Sequence, residues 1–264
     1  MKLNAFRKYG NKIEMYLKLK TSVLAIKLLK NKKEIPSNAK RPKKDFGYHL
    51  SLCQAFAISR REGTPFAMLK EDMWCFEPVI GLGLAKAPQY FLEGHNRFPG
   101  TARSLDAGKN WAQLFPHFEW GKYEGIVFGP LSKAYFKPDL IILYCDPTQL
   151  TQIMIAINWI DGNDINCRLS GHAGCVYSIV PTIQNNQFQV SIPCIGDRKR
   201  AAAQDDELVF SSPIKKVGDL VMGLEFLAKN DQGLPVKFQQ MPEYKLEESY
   251  AKIGKLIGID IIDK

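Results

Sequence analysis

Six cysteines stand out among the 264 residues. Cys53 lies in Leu52-Cys53-Gln54 and Cys75 in Met73-Trp74-Cys75-Phe76. Cys175 ends Gly171-His172-Ala173-Gly174-Cys175, and Cys194 opens Cys194-Ile195-Gly196-Asp197-Arg198 after Pro193. Cys145 closes an apolar run, and Cys167 sits between a helical segment and the Gly171 loop. Thiolates are the ligands that soft metals and iron–sulfur clusters require. No two cysteines are spaced Cys-x-x-Cys, so the local signature of a zinc ribbon or ferredoxin is missing. Free cysteine is also among the most buried residue types, so packing competes with ligation as an explanation. Glycine or proline beside Cys175 and Cys194 places those two in loops, where a cysteine is less often core filler.

Other residues offer weaker chemistry. Gly196-Asp197-Arg198-Lys199-Arg200 sets three cations after a glycine, and Arg60-Arg61 adds two more. Exposed amides and guanidinium groups of this kind bind a carboxylate or phosphate. The acidic run Gln204-Asp205-Asp206-Glu207 follows closely, so an internal salt-bridge network explains the same residues equally well. His172 has the chemistry of a base or ligand, and with Cys175 it could form a nucleophile pair. Nothing nearby supplies an oxyanion hole or an orienting third residue. Gly81-Leu82-Gly83-Leu84 begins a dinucleotide fingerprint but lacks its third glycine and a preceding strand, so it reads as a tight turn.

The elements that must position these groups follow from periodicity. Leu3, Phe6, Ile13, Tyr16 and Leu17 recur at helical spacing over residues 1–20. Ser22–Leu29 reads as a strand, 30–46 as a polar loop holding Pro36 and Pro42, and 50–62 as a helix ended by Gly63. Phe66–Leu69 is strand-like. Gly125–Leu131 and Leu140–Cys145 are apolar throughout, the mark of strands covered on both faces, and they are expected to be neighbours. Asp146-Pro147 caps a helix running to Gly162. Cys175–Gln184 and Gln187–Ile192 read as two strands around an Asn185-Asn186 turn, and Val217–Lys229 as a helix. The expected architecture is mixed α/β, a largely buried central sheet flanked by helices. It divides into an N-terminal helix over 1–20, one α/β domain over 21–229 and an extension over 230–264.

The net charge of +9 is local in origin. Residues 1–45 carry 14 Lys/Arg against Glu14, Glu34 and Asp45, while the rest holds 22 basic and 24 acidic residues. The lysines of 30–44 lack the interleaved aromatic platform that single-stranded nucleic acid needs, so they are expected to form a solvated surface loop rather than a nucleic-acid site. No segment reaches the ~18 apolar residues of a membrane span. Ser22–Leu29 is short, contains Lys27 and lacks a cleavage site, which argues against a signal peptide. A cytoplasmic, reducing location is expected, where cysteines serve as thiols or ligands.

A family resemblance rests on several separated motifs. Cys53-Gln54, Arg60-Arg61, Glu71-Asp72 and Cys75 carry its first half. Gly129-Pro130-Leu131, Pro138-Asp139, Ser170-Gly171 with Cys175, Pro193-Cys194-Ile195-Gly196-Asp197-Arg198 and Gln204-Asp205-Asp206-Glu207 carry the second. Over roughly residues 20–227 the chain resembles the domain of unknown function 169 family of bacteria and archaea, common in anaerobes. The resemblance implies that Cys53, Cys75, Cys175 and Cys194 belong to the family pattern, and that Cys145 and Cys167 are particular to this chain. Four such thiols suit an iron–sulfur cluster or another thiolate-bound metal, serving electron transfer, cofactor handling or redox sensing with a redox partner. Arg60, Arg61 or Arg198 is then expected to offset the thiolate charge. The competing reading is a small-molecule or anion-binding module using Arg60, Arg61, His172, Asp197 and Arg198, with packed cysteines. A thiol enzyme is the third.

Overall fold

Side chains alternate along each strand, so one sheet can supply two cores. The computed structural model describes residues 3–237 and 247–259. In chain order it runs α1 (Leu3–Leu17), β1 (Leu24–Leu29), α2 (Leu52–Glu62), β2 (Phe66–Leu69), α3 (Phe76–Gly81), α4 (Gln89–Leu92), α5 (Leu105–Leu114) and β3 (Gly125–Pro130). There follow β4 (Leu140–Cys145), α6 (Pro147–Asp161), α7 (Gly174–Asn185), β5 (Gln189–Ser191), α8 (Ile195–Ala201), β6 (Leu208–Pro213), α9 (Val217–Lys229) and α10 (Glu248–Leu256). The six strands form one antiparallel sheet in the order β2-β3-β1-β4-β6-β5.

Helices cover both faces. Leu24, Ile26, Phe66, Phe128, Leu140, Ile142 and Tyr144 point toward α2, α3, α5 and α7, through Leu52, Phe56, Ile80, Val176 and Ile179. Ala25, Val127, Ile141, Leu143, Cys145 and Phe210 point the other way, toward α1, α6 and α9, through Phe6, Ile13, Ile153, Leu220 and Leu224. Each buried aliphatic side chain contributes roughly 1.5–3 kcal/mol, which is why the central strands read as uninterrupted apolar runs. On the second face, α6 and α9 approach backbone to backbone: a Cβ on Gly223 would stand 2.3 Å from the Ala156 carbonyl oxygen.

Local signals explain most boundaries. Ser51 and Gln54 form a reciprocal capping box at the start of α2, and Asp146 and Gln149 form another at α6. Gly63 and Gly162 end these helices with φ of +81° and +71°, a conformation glycine adopts without strain. The sheet corrects two expectations. β3 and β4 are interior and covered on both faces, but β1 lies between them, so they are not neighbours. Cys175–Gln184 is helical. Its β-branched residues favour a strand by propensity, yet Val176, Ile179, Val180 and Ile183 follow a helical spacing onto the first core, and burial outweighs propensity. Only Gln189–Ser191 of the second expected strand pairs, against β6.

The 30–46 stretch is ordered as a short 3₁₀ turn at Lys32–Glu34 and a π-helical turn at Pro42–Phe46. Arg41 anchors it by hydrogen bonds of 2.9 and 2.8 Å to the buried Asp72 carboxylate. By internal contacts the chain divides into two compact units, Met1–Gly233 and Leu234–Lys264. In the second, α10 exposes Tyr250, Ile253 and Leu256; the end of the extension expected over 230–264 lies outside the described residues. Among the described residues no helix is long and apolar enough to cross a membrane.

Candidate functional site

All four family cysteines stand at the starts of helices, on the face of the sheet covered by α2, α3 and α7. Cys53 is in the first turn of α2, Cys75 immediately precedes α3, Cys175 is in the first turn of α7, and Cys194 immediately precedes α8. The thiols sense one another. Burial pushes the Cys175 thiol far above its ordinary range, and the neighbouring Cys53, Cys194 and Cys75, with Glu77, push it further. Burial likewise raises Cys53 to about 12, with Asp197 and Cys194 adding to the rise and the Ser51 hydroxyl, 3.1 Å from its sulfur, opposing it. Cys75 is raised by burial, then by Glu77, with Cys53 contributing. Coulombic effects of this kind fall off with distance, so Cys53, Cys75 and Cys194 all lie in the wider surroundings of Cys175.

The remaining two cysteines are elsewhere. Cys145 faces the opposite core with α6 and α9, its thiol raised by burial to about 12. Cys167 accepts the Val190 backbone N–H at 3.0 Å. The division that the family resemblance implied is thus also a spatial one.

Two polar networks flank the thiols. In the first, Cys75 Sγ donates to Glu77 Oε2 at 3.4 Å, and Glu77 Oε1 accepts from Arg97 Nη2 at 2.7 Å. Arg97 Nη1 faces His172 Nδ1 at 3.1 Å, and its guanidinium carbon lies 3.7 Å over the Trp111 ring. Burial, and then Arg97, lower the His172 pKa, so the imidazole is neutral; facing an N–H donor, Nδ1 accepts and Nε2 carries the proton. In the second, Arg60 Nη1 and Nη2 donate to Glu207 Oε1 and Oε2 at 2.6 and 2.9 Å, a buried bidentate pair. The Arg60 guanidinium lies 3.9 Å over the Tyr144 ring, and Tyr144 Oη donates to Asp197 Oδ2 at 2.8 Å. Burial raises the Asp197 carboxyl to about 6, despite Tyr144 and Arg60 acting to lower it.

The expected cations fare differently from one another. Arg60 is committed to Glu207, Arg61 donates to the Ala202 carbonyl at 2.7 Å, and Arg198 donates to the Gln204 carbonyl. The internal network between the basic and acidic runs is therefore present. The cation beside the thiols is Arg200: a Cβ on Gly196 would stand 3.6 Å from Cys194 Sγ and 3.8 Å from Arg200 Nη1. His172 belongs to the Arg97 network and lies beside the thiol group through Glu77. Sequence reasoning missed Glu77, Arg97, Trp111 and Tyr144; only Glu77, two residues after Cys75, carried a usable signal.

Whether this donor set suits a metal depends on its spacing. A single tetrahedral zinc needs its thiolates within about 4 Å of one another, given bonds of about 2.3 Å. Among the described residues no group of three or more His, Cys, Asp or Glu side chains is placed to hold a metal ion, so the arrangement is not a closed mononuclear site. An iron–sulfur cluster spreads its thiolates wider around one shared centre, and it takes ligands from separate loops without a spacing signature. The four thiols lie at four different helix starts. A separate cavity of about 470 Å³ opens near the far end of α7, lined by Phe115, His117, Arg168, Tyr177, Gln184 and Gln189 among others; no cysteine borders it.

Comparisons with known proteins agree with the reading of the motifs. The model of a family described as "Uncharacterised ArCR" matches residues 12–223, a span that contains all four clustered cysteines. An uncharacterized protein of Methanocaldococcus jannaschii is 23% identical over 228 residues, covering 85% of this chain and 96% of that relative. No solved structure matches. With most of its length matched, the chain belongs to the domain of unknown function 169 family.

Proposed function

We propose that this protein holds an iron–sulfur cluster through Cys53, Cys75, Cys175 and Cys194 and serves electron transfer or redox sensing. One observation supports the reading: Cys53, Cys194 and Cys75 all oppose ionisation of the Cys175 thiol, so cysteines 122 positions apart in sequence lie near enough for their charges to be felt. Four thiols in such a place are costly to ionise unless a cation or metal compensates them. When bound, a cluster would supply one-electron chemistry. The chain would supply the ligands and the Arg200 charge beside Cys194, while Glu77, 3.4 Å from the Cys75 sulfur, opposes ionisation of that thiol.

The small-molecule reading has less support, because Arg60, Arg61 and Arg198 already have partners inside the protein. The thiol-enzyme reading requires a readily ionised cysteine, whereas Cys175 is pushed the opposite way.

The test is anaerobic purification, or reconstitution with ferrous iron and sulfide, followed by iron and sulfide analysis and visible absorbance. Cysteine-to-serine substitution at positions 53, 75, 175 or 194 is expected to lower iron and sulfide together, and Cys145→Ser and Cys167→Ser to leave both unchanged. Absence of iron and sulfide in the wild-type protein, or equal loss in all six variants, would sink the proposal.

A further inference from the structure

The cavity near the far end of α7 lies apart from the thiols and has a chemistry of its own. Its volume of about 470 Å³ falls in the range of small-molecule sites. Its floor is buried: Phe115 and Tyr177 are each 3% exposed, and Gln189 is 5% exposed. The two rings meet edge to face, with centroids 6.5 Å apart. A buried tyrosine hydroxyl ordinarily finds a hydrogen-bond partner. Tyr177 Oη makes no hydrogen bond to the described residues, yet it is not sealed from solvent, so the cavity is its outlet. Gln189 is held by its Nε2, which donates to the Val190 carbonyl at 2.8 Å, and this leaves Oε1 as an acceptor with no partner among the described residues.

Charge narrows the occupant. The lining contains no carboxylate to hold a cation, and the acids nearest in sequence, Glu119 and Asp164, are exposed and outside it. Arg168 is already engaged: it donates to the Leu114 carbonyl, with its guanidinium carbon 5.8 Å over the Tyr177 ring. α5 ends at Leu114 and α7 at Asn185, so the carbonyl ends of two helices stand at the cavity. Their partial negative charge disfavours a phosphate or carboxylate. Carboxamides remain. Asn166 and Asn185 are exposed, with side chains that bond none of the described residues, and Gln184 uses only its Nε2, on the His117 carbonyl at 2.9 Å. A primary amide sets a donor beside an acceptor, the pattern found along a nucleobase edge. A ring with such edges also covers the apolar surface of Phe115, Tyr177 and Pro181, as bases do on aromatic side chains.

We infer that this cavity binds an uncharged heterocycle with mixed donor and acceptor edges, a free nucleobase or its nucleoside. No cysteine borders the cavity, so binding here is independent of iron at the thiols.

The probes are adenosine, guanosine, cytidine and uridine, with adenine and uracil as free bases, titrated into the full chain by calorimetry and ligand-observed NMR. Expected is saturable binding of at least one nucleoside. Competition by the free base marks the ring as sufficient and its failure marks the nucleoside as the ligand; both support the site. Tyr177→Phe keeps the ring and is expected to weaken binding about threefold, and Asn166→Ala/Asn185→Ala about tenfold, the loss of one and of two hydrogen bonds. Gln113→Ala removes an exposed amide of α5 outside the lining and is expected to retain binding; circular dichroism checks that each variant folds. No binding of any nucleoside or base overturns the inference, as does unchanged binding in both cavity variants. So does equal weakening by Gln113→Ala, displacement of the nucleoside by ribose or inorganic phosphate, or a single-stranded oligonucleotide that binds more tightly than every nucleoside.

Discussion

Tyr144 Oη donates a 2.8 Å hydrogen bond to Asp197 Oδ2, tying the centre of the sheet to the short helix that follows Cys194. Both residues are buried, so the bond joins an acid held near neutrality to a phenol whose pKa burial pushes far above its usual range.

That acid makes stability depend on pH. Asp197 titrates at about 6 in the fold against an ordinary 3.8. Folding therefore favours its protonated form. The cost of ionising it is absent below about pH 4, grows as pH rises toward 6 and is complete above that. At about 1.4 kcal/mol per pKa unit the contribution is roughly 3 kcal/mol. Asp197→Asn keeps an oxygen for Tyr144 and cannot ionise. Urea unfolding is expected to show the variant gaining on the wild-type protein between pH 4 and pH 7. A difference that stays constant to within about 0.5 kcal/mol would remove Asp197 from this role.

The Arg60–Glu207 pair sets a second expectation. Burial alone would raise Glu207, but the Arg60 hydrogen bonds keep its carboxyl below the ordinary value. Removing one member leaves the other buried and unpaired, which typically costs about 3–5 kcal/mol, while replacing both with apolar residues costs far less. Glu207→Ala is expected to destabilise by that amount in denaturant titrations, and Arg60→Met/Glu207→Leu by less than half of it. If the double variant is the less stable of the two, Arg60 and Glu207 are not acting as a pair.

Thiol reactivity separates the cluster reading from the thiol-enzyme reading. Cys53 and Cys145 are pushed up to about 12, and Cys175 well above its ordinary value, all chiefly by burial. The thiolate is the nucleophile, so at pH 8 these three are almost entirely protonated. Iodoacetamide applied to the native, iron-free protein is expected to spare Cys53, Cys145 and Cys175 until denaturant is added, as peptide mass analysis would report. Rapid alkylation of Cys175 would revive the nucleophile that His172 was expected to assist.

Much of the scaffold was readable because burial and capping write it locally. β3 and β4 are unbroken apolar runs, and Asp146, Gly63 and Gly162 mark helix ends with residues suited to that backbone geometry. The order of strands was not readable, since nothing in β3 or β4 states that β1 lies between them. α7 misled because Val176, Ile179, Val180 and Thr182 have strand propensity at a spacing that only the underlying core resolves. At the site, the cysteines carried family-level information and Glu77 stood two positions from Cys75, but nothing in the sequence pointed to Arg97 or Tyr144. An arginine becomes a guanidinium stacked on Trp111 and bonded to Glu77 only through contacts made across the fold.

Gly174 links the fold to the thiols most directly, and its substitution is the sharpest probe. It follows Ala173, whose φ of +52° is left-handed, and precedes Cys175. A Cβ at this position would stand 2.6 Å from the Ile192 carbonyl oxygen and 3.3 Å from the Cys194 backbone nitrogen. Both obstacles are main chain, so neither can swing aside as a side chain would. The Gly174 carbonyl is also engaged, accepting from Ser178 Oγ at 2.8 Å. Relief must come from moving α7 away from the segment that carries Cys194, which widens the separation of Cys175 and Cys194. Overpacking of this kind costs about 1–3 kcal/mol, or several degrees in Tm at this size. Gly171→Ala is the control, because nothing lies within 4 Å of its Cβ position. Gly174→Ala is expected to lower Tm and to take up less iron and sulfide on reconstitution, with Gly171→Ala matching the wild-type protein in both. If Gly174→Ala loses stability yet incorporates a full complement of iron and sulfide, the approach of α7 to Cys194 serves packing alone.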